Sequence, residues 1–315
     1  MRIGFIDVDG NKKFPNLPLM KLSAYHKARG DNAEWYMPFS ERYDIVYCSK
    51  VFSFTPDYTD AINADRVIMG GSGYQIKLIG GREVFIKYPE TKYIFRHKLK
   101  DRIEHIYPDY SLYPKLTKNT AYGFLSRGCP RGCKFCHVEA KEGRYSHKVA
   151  DLSEFWRGQK NIVLCDPNIL ACKDCGNLLQ QLIDSRSCVD FNQGLDIRLM
   201  TDEKAQMLGN IKMKEVHFAW DRYKDKDVIL RGLDIYAKYN KINPSSNRVV
   251  VYTIVNFDTT IQQDLERIYT LRDLGCDPYV MVYNKAGASR VYKRLQRWVN
   301  NRFIFHSVAR FEEYK

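Results

Sequence analysis

Short apolar runs alternate with polar and glycine-containing segments at the start of the chain. Residues 2–8 have the pattern of a buried strand, and residues 18–29 carry apolar side chains at helical spacing before Gly30 interrupts them. Three more strand-like runs follow, at 32–36, 45–52 and 66–69. The sequence therefore predicts a small α/β domain with a parallel sheet over residues 1–89, of the Rossmann-like or flavodoxin-like type.

The regular pattern breaks over residues 90–120, where Pro108 and Pro114 lie among tyrosines and mixed charges. We interpret this segment as a connector between two domains. From residue 121 onward, strand-like runs alternate with helical runs. The strand candidates are 122–125, 161–164, 189–192, 215–220, 248–255 and 278–283. The helix candidates are 171–184, 202–208, 226–239, 260–274 and 289–300.

Alternating strands and helices are typical of a parallel sheet or a barrel, and six such units fit an incomplete barrel. We therefore expect an α/β fold with a partial (β/α)6 TIM-like barrel over residues 121–285, followed by a basic helix and tail over residues 286–315. Both architectures place the chemistry at the carboxyl ends of the strands.

The composition is that of a globular protein with room for one large and one small domain: 315 residues, 44% hydrophobic and 28% charged. No apolar run approaches the ~18 residues that span a bilayer. The first ten residues also lack the long apolar region of a signal peptide. We therefore expect a cytoplasmic protein with no membrane partner.

The chain carries a formal net charge of +13 and nine cysteines. The positive balance favours anionic partners but identifies none of them. An odd number of cysteines in a reducing compartment argues against a disulfide framework and for metal binding or burial. The spacing of the cysteines therefore decides between these two roles.

Three of the nine cysteines lie within eight residues, in the loop after the first strand of the second domain. They are Cys129, Cys133 and Cys136. This spacing does not place all three on one helix face, but a loop can wrap three thiolates around one iron–sulfur cube. A typical 4Fe–4S cluster takes four thiolates, so one iron would stay open to another ligand. The alternatives are a structural zinc site with the adjacent His137 as fourth ligand, or three buried thiols.

The motif Cys-x3-Cys-x2-Cys, with an aromatic residue, Phe135, directly before the third cysteine, resembles the radical S-adenosylmethionine (SAM) superfamily. The resemblance implies a partial (β/α)6 barrel and a 4Fe–4S cluster on the three cysteines, with SAM on the open iron and Phe135 at the cofactor. It further implies reductive cleavage of SAM to a 5′-deoxyadenosyl radical that abstracts hydrogen from an unidentified substrate: RNA, a peptide or a small metabolite. An electron donor of flavodoxin or ferredoxin type is the expected partner.

The same resemblance implies that groups at the ends of later strands hold SAM. Asp166 and Asn168 follow the second strand, where the family often has a Gly-Gly-Glu-like run, although the glycines are missing here. Gln193, Asp196 and Arg198 follow the third strand and are expected to contact ribose, carboxylate or substrate. The alternatives are an Asp-Pro turn after the second strand and a salt-bridged surface turn after the third.

The ends of the later strands offer weaker candidates of the same kind. These are Asp221, Asn256, Tyr283 and Asn284. Each of them could instead cap the helix that follows it.

Four further cysteines, Cys165, Cys172, Cys175 and Cys188, form a second group, and Cys172 and Cys175 are expected on one face of a helix. An auxiliary cluster or a zinc site is one interpretation of this group. Buried free thiols are the favoured one, because the chain lacks the cysteine-rich C-terminal segment in which the family usually carries such clusters. The two remaining cysteines, Cys48 and Cys276, are expected in the core.

The N-terminal domain is similar to the cobalamin-binding-type domain that precedes many radical SAM barrels. The similarity rests on its strand–helix start, on residues 14–25 and on the glycine-rich loop at residues 70–73. The cobalt-ligating pattern of that domain is Asp-x-His-x-x-Gly, whereas this chain has Asp7-Val8-Asp9-Gly10 at the comparable place. Without the histidine, cobalamin is not expected as a cofactor, although some relatives bind it without this residue.

Most of the excess positive charge lies in two segments, residues 115–148 and 286–315. The second includes a basic amphipathic helix over residues 290–298 that could dock on nucleic-acid phosphates or could be a solvated helix face. The alternative to a radical SAM enzyme is therefore a basic zinc-loop protein that binds nucleic acid without catalysis. Cluster content and SAM cleavage distinguish the two hypotheses.

Overall fold

The computed structural model describes residues 1–10, 14–79, 82–86, 99–242 and 248–314. The first residues of the predicted connector, 90–98, lie outside this range. The chain divides into two compact units. The first unit comprises Met1–Gly123, Arg131–Gly143 and Ala150–Lys160, and the second comprises Phe124–Pro130, Arg144–Val149 and Asn161–Lys315.

The first unit contains a four-stranded sheet in which every pair of neighbouring strands is parallel. The spatial order is β2-β1-β3-β4. This confirms the predicted parallel α/β layer. The elements are β1 (Arg2–Asp7), α1 (Leu17–Ala28), β2 (Asn32–Trp35), β3 (Tyr43–Ser49) and β4 (Ala64–Gly70).

Helix α1 forms where the sequence predicts it, with recognisable signals at both ends. The side chain of Asn16 accepts a hydrogen bond from the Leu19 backbone N–H and so caps the first turn. Leu19 and Met20 are fully buried. The chain leaves the helix at Gly30, whose φ of +78° is a left-handed conformation that glycine adopts without strain.

Several short elements complete the first unit. Strands β5 and β6 form an antiparallel pair, and the described part of the predicted connector contains two single-turn helices and a 3-10 turn at Tyr110–Leu112. The elements are α2 (Ser72–Gln75), β5 (Ile76–Ile79), β6 (Arg82–Phe85), α3 (Asp101–Glu104), α4 (Pro114–Thr117), β7 (Thr120–Gly123) and α5 (Val138–Glu142).

The second unit alternates strands and helices, as its hydrophobic pattern predicts. Its first two strands, β8 (Ser126–Arg127) and β9 (His147–Lys148), form a short antiparallel pair. The remaining elements are β10 (Asn161–Leu164), α6 (Cys175–Ser185), β11 (Cys188–Phe191), α7 (Asp202–Gly209), β12 (Glu215–Ala219), α8 (Lys226–Tyr239), β13 (Arg248–Val255), α9 (Ile261–Asp273), β14 (Asp277–Val282), α10 (Arg290–Asn300) and α11 (Arg302–Ser307).

The long strands of the second unit are parallel. β10 pairs with β11, and β12 pairs with β13, which pairs with β14. A parallel bridge between Leu195 and Phe218 joins the segment after β11 to β12. The protein is therefore a mixed α/β structure with parallel sheets. No helix in the part of the chain that the structure describes is long and apolar enough to cross a membrane.

Helix α9 is tied to two strands of the second unit by a buried guanidinium group. Arg267 donates hydrogen bonds to the carbonyl oxygens of Trp220, at 2.6 Å, and Ile254, at 2.7 Å. It also forms an ion pair with Asp264 at 2.5 Å, and both side chains are fully buried. These contacts hold the carboxyl ends of β12 and β13 against α9.

Helix α10 has the two faces that its sequence predicts. Leu295, Trp298 and Val299 are buried in a core cluster with residues of β13, β14, α9 and α11. Arg290, Lys293, Arg294 and Arg297 are exposed. The apolar face therefore anchors the helix, and the basic face is presented to solvent.

Candidate functional site

The carboxylate of Asp166, two residues after the end of β10, holds the residues that lead into the cysteine loop. Its Oδ2 accepts from the Leu125 backbone N–H at 3.1 Å, and its Oδ1 accepts from the backbone N–H and the hydroxyl of Ser126 at 2.5 and 2.7 Å. Burial raises the pKa of Asp166 to about 6, although the hydrogen bonds oppose this shift. In the structure, this predicted SAM-binding residue therefore orients the entry to the loop.

Asn168 is almost fully buried and connects a cysteine to a carboxylate. Its Nδ2 donates to Cys129 Sγ at 3.5 Å and to Asp196 Oδ2 at 3.1 Å. Its backbone carbonyl accepts from Ser146 Oγ at 2.8 Å. Its Oδ1 is buried and has no hydrogen-bond partner among the described residues. Asn168 thus has one acceptor atom available to a ligand.

Asp196 and Arg198 form a bidentate ion pair on the segment after β11. Arg198 donates through Nε to Asp196 Oδ1 at 2.7 Å and through Nη2 to Oδ2 at 3.2 Å. Its Nη1 donates to Asp225 Oδ2 at 2.8 Å. Burial alone would lower the pKa of Arg198, but the hydrogen bonds to Asp196 and Asp225 outweigh it and raise that pKa. The pair is partly buried, unlike an ordinary surface turn.

The structure joins three of the predicted SAM-binding residues, whereas Gln193 lies apart from them. Asn168, Asp196 and Arg198 form one hydrogen-bonded chain. Gln193 is exposed and takes no part in it. The chain bends after Gln193 at Gly194, whose φ is +81°, and a Cβ atom there would lie 3.3 Å from the Tyr252 ring.

Asp221 follows β12 and is half-buried near the charges of Asp196 and Arg198. Burial raises its pKa to about 6, while a backbone hydrogen bond at Ile254 and the charges of Arg267 and Arg198 oppose the shift. Its Oδ1 is buried without a hydrogen-bond partner among the residues that the structure describes. Asp221 is therefore a second available acceptor in this part of the second unit.

The candidate at the end of β13, Asn256, has a structural role that its contacts explain. Asn256 donates from Nδ2 to the Tyr283 carbonyl at 3.1 Å, and its backbone N–H donates to Asp264 Oδ2 at 3.2 Å. Neither Asn256 nor Asn284 caps a helix, since Thr260 caps α9 and Ser289 precedes α10. Asn256 links the ends of β13 and β14.

The three cysteines of the motif differ in exposure. Cys129, in the second unit, and Cys133, in the first, are half-buried, whereas Cys136, in the first, is exposed. The Cys136 backbone N–H donates to the Cys133 carbonyl at 2.9 Å, and the Val138 backbone N–H donates to Cys136 Sγ at 3.5 Å. Phe135 is half-buried. Two thiols are thus placed in one turn of chain just before α5.

Two glycines give the motif its backbone freedom. Gly128 has a φ of +84° and Gly132 a φ of +57°, both in the left-handed region that other residues rarely adopt. Within the described ranges, no three His, Cys, Asp or Glu side chains are grouped closely enough to hold a metal ion. The donor chemistry, three thiols of which Cys129 and Cys136 each accept an N–H···S hydrogen bond, fits an iron–sulfur cluster.

The second group of cysteines is mostly buried, which agrees with the predicted burial of these thiols. Cys165, Cys172 and Cys175 are buried, and Cys188 is half-buried. Burial raises the pKa of Cys175 to about 11 and also raises that of Cys172. The prediction that Cys172 and Cys175 share a helix face is wrong, because Cys172 is extended at φ −70° and ψ 137°, and α6 begins only at Cys175.

Cys48 and Cys276 are both 2% exposed, which confirms that they belong to the core. Burial raises the pKa of each thiol to about 12. Cys48 borders a cavity of about 340 Å³. The other residues that line this cavity are Tyr58, Asp60, Ile62, Val67 and Met69.

In the first unit, the carboxyl ends of β1 and β3 meet beside the carboxylate of Asp9. This carboxylate accepts hydrogen bonds from the backbone N–H groups of Val51, at 2.6 Å, and Phe52, at 3.3 Å, and from Thr55 Oγ1 at 2.7 Å. The order of strands reverses between β1 and β3, the place where open α/β sheets bind ligands. Here the hydrogen-bond donors at this place already bind a carboxylate of the protein itself, that of Asp9.

Sequence reasoning missed a polar network on one face of β11, β12 and β13. His217 Nε2 lies 3.0 Å from Glu215 Oε1, and its Nδ1 lies 3.6 Å from Asp190 Oδ1. The imidazole is stacked on the Tyr252 ring, with centroids 5.2 Å apart. Glu215 and His217 alternate with the buried Val216 and Phe218, so the period of two along β12 was the available signal.

Two comparisons with known proteins were negative. No protein-family model matches the chain. No curated protein matches it either.

Proposed function

We propose that this protein is a radical SAM enzyme with an iron–sulfur cluster on Cys129, Cys133 and Cys136. The observation that carries the proposal is the buried Asn168, which joins the Cys129 thiol to the Asp196–Arg198 pair at the carboxyl ends of β10 and β11. When bound, the cluster supplies the electron that cleaves SAM to the 5′-deoxyadenosyl radical. The protein supplies position and charge around it.

The residues of the chain have separate tasks in this proposal. Asp166 orients Leu125 and Ser126, the last residues before the cysteine loop. The unpartnered Oδ1 atoms of Asn168 and Asp221 accept hydrogen bonds from ammonium or hydroxyl groups of SAM or the substrate. Leaving such buried acceptors unpaired costs about 1–3 kcal/mol each, which a bound donor would recover. Arg198 fixes Asp196 in place through hydrogen bonds to both of its carboxylate oxygens.

The arrangement of strands in the second unit supports the partial barrel as its finer fold. β10, β11, β12, β13 and β14 are neighbours in chain order, through ladder pairing or through the Leu195–Phe218 bridge. Parallel strands that follow one another in space and in sequence, each followed by a helix, are typical of TIM-like barrels. The polar face with His217 and Tyr252 would then line its interior.

The substrate class stays open between RNA, a peptide and a small metabolite, and the electron donor is proposed to be of flavodoxin or ferredoxin type. The exposed basic face of α10 favours an anionic substrate or partner. For RNA, affinity should fall steeply as salt rises and should weaken when Arg290 and Arg297 are both replaced by Gln. Binding that does not depend on salt would count against RNA.

The decisive test combines cluster content with SAM cleavage. Anaerobically reconstituted protein should be brown, contain iron and sulfide, and release 5′-deoxyadenosine from SAM on reduction. Cys133→Ala should lose the cluster, whereas Cys276→Ala, a matched change at a buried thiol outside the motif, should keep it. A colourless protein that contains zinc and no iron would replace this proposal with the nucleic-acid-binding alternative.

A further inference from the structure

The hydrogen bond from Asn168 to Cys129 has an unusual feature for a buried amide: its acceptor is a thiol. Most buried Asn side chains bond to backbone groups, as Asn240 does here through Nδ2 to the Ala205 carbonyl at 2.8 Å. Asn168 Nδ2 instead divides its two donors between Cys129 Sγ, at 3.5 Å, and the Asp196 carboxylate, at 3.1 Å. The contacts of the side chain are therefore directed to the candidate site.

A purely structural role explains the position of Asn168 poorly. Its side chain is 2% exposed, and its Oδ1 has no partner among the described residues. An apolar residue of similar shape would avoid the cost of that unpaired acceptor. The backbone at this position is already held by the hydrogen bond from Ser146 Oγ to the Asn168 carbonyl. The amide is thus not needed to fix the chain here.

An N–H donor has a defined effect on a sulfur that ligates an iron–sulfur cluster. Hydrogen bonds to the sulfurs are among the factors that set the reduction potential of a cluster. The reduced cluster carries one more negative charge than the oxidised cluster, so a donor at a ligand sulfur stabilises the reduced form more. Asp196 fixes the plane of the Asn168 amide by accepting the second hydrogen bond from Nδ2. Asp196 is itself held, because Arg198 donates to both of its carboxylate oxygens.

We infer that Asn168 is a positioning residue that holds the Cys129 thiolate by an N–H···S hydrogen bond and thereby raises the reduction potential of the cluster. This inference rests on the proposed function, since it requires a cluster on Cys129. It assigns to Asn168 a role toward the cluster in addition to any contact with SAM. The bond also requires Asp196 and Arg198 as supports of the amide.

The test compares Asn168→Leu and Asn168→Ala with the wild type and with Asn240→Ala, which removes a buried amide whose bonds go to backbone carbonyls. Each protein is reconstituted anaerobically with iron and sulfide. Its melting temperature and iron content are measured, and its reduction midpoint is measured by a redox titration followed by electron paramagnetic resonance. The Leu variant keeps the approximate shape of Asn and is the form expected to stay folded.

We expect both Asn168 variants to be about tenfold harder to reduce than the wild type, a fall of about 59 mV for a one-electron couple, whereas Asn240→Ala keeps the wild-type midpoint. Folded Asn168 variants that lose the cluster while Asn240→Ala retains it would also support the inference. A wild-type midpoint in the loaded Asn168 variants overturns it. So does unfolding of both, which would make the residue structural. A wild-type protein that takes up no cluster refutes the proposed function itself.

Discussion

Asp166 accepts two hydrogen bonds from a single residue, since the backbone N–H and the hydroxyl of Ser126 both donate to its Oδ1, at 2.5 and 2.7 Å. Asp166, two residues after the end of β10, is thereby tied to the first residue of β8. Both groups are buried, so the bonds form away from water. The entry to the cysteine loop depends on this carboxylate.

Asp166→Asn should destabilise the protein by about 2 kcal/mol. The NH2 group of the new Asn side chain would face at least one of the three groups that donate to the Asp166 carboxylate, so two donors would oppose each other and a hydrogen bond would be lost. The free energy of unfolding in urea measures the effect. Asp174→Asn is the matched control, since Asp174 is exposed and makes no side-chain cap contact with α6. Equal stability of the two variants would contradict the role given to Asp166.

Asp221 should make the stability of the protein fall as pH rises between about 4 and 6. Its pKa is about 6 in the folded protein and 3.8 as a model value, so only the folded state holds the proton in this range. The free energy of unfolding should therefore decrease with rising pH, by up to about 3 kcal/mol from this group. Unfolding in urea across this pH range measures the slope.

Asp221→Asn should flatten this pH dependence by removing the contribution of the group. The slope from Asp166, whose pKa is also raised to about 6, should remain in that variant. If the variant keeps the full wild-type slope, Asp221 is not protonated in the folded protein in this range.

Arg198→Lys should destabilise the protein by about 1–2 kcal/mol, because a lysine cannot make the bidentate hydrogen bonds to Asp196 and also bind Asp225. Arg222→Lys is the control. Arg222 also binds Asp225, at 3.0 Å, but its side chain is 40% exposed, so its replacement should cost little. Similar losses for both variants, measured by thermal and urea unfolding, would argue against a special role for Arg198.

Arg267→Met should cost about 3–5 kcal/mol, because it leaves the Asp264 carboxylate and two strand-end carbonyls buried without their donor. The double variant with Asp264→Asn should recover part of this loss, since it removes the uncompensated charge. A double-mutant cycle on the free energy of unfolding measures the coupling. Additive losses would show that the two side chains do not depend on each other.

The elements of the fold were largely predictable from the sequence, because strands and helices differ in the period of their apolar residues. β13, predicted at residues 248–255, is observed at Arg248–Val255, and α8, predicted at residues 226–239, is observed at Lys226–Tyr239. The start of α6 was not predictable in the same way. Cys172 and Cys175 have helical spacing, but a 3-10 turn at Ile169–Ala171 and an extended Cys172 delay the helix.

The candidate site was predictable as a set of strand-end residues but not as a network. Residue type and position singled out Asp166, Asn168, Asp196 and Arg198. Their partners depend on contacts between distant parts of the chain, such as Asp166 with Ser126 and Asn168 with Cys129. Local patterns contain no information on such pairs, and for this reason Gln193 was grouped with residues from which the structure separates it.

The contacts of Arg267 offer a way to recognise divergent relatives of this chain. Any sequence with the same arrangement of β12, β13 and α9 must supply a donor for the carbonyls that correspond to Trp220 and Ile254. An Asp and an Arg three positions apart on the helix after an eight-residue strand meet that need with one side chain. This spacing is a search pattern that does not depend on the cysteines.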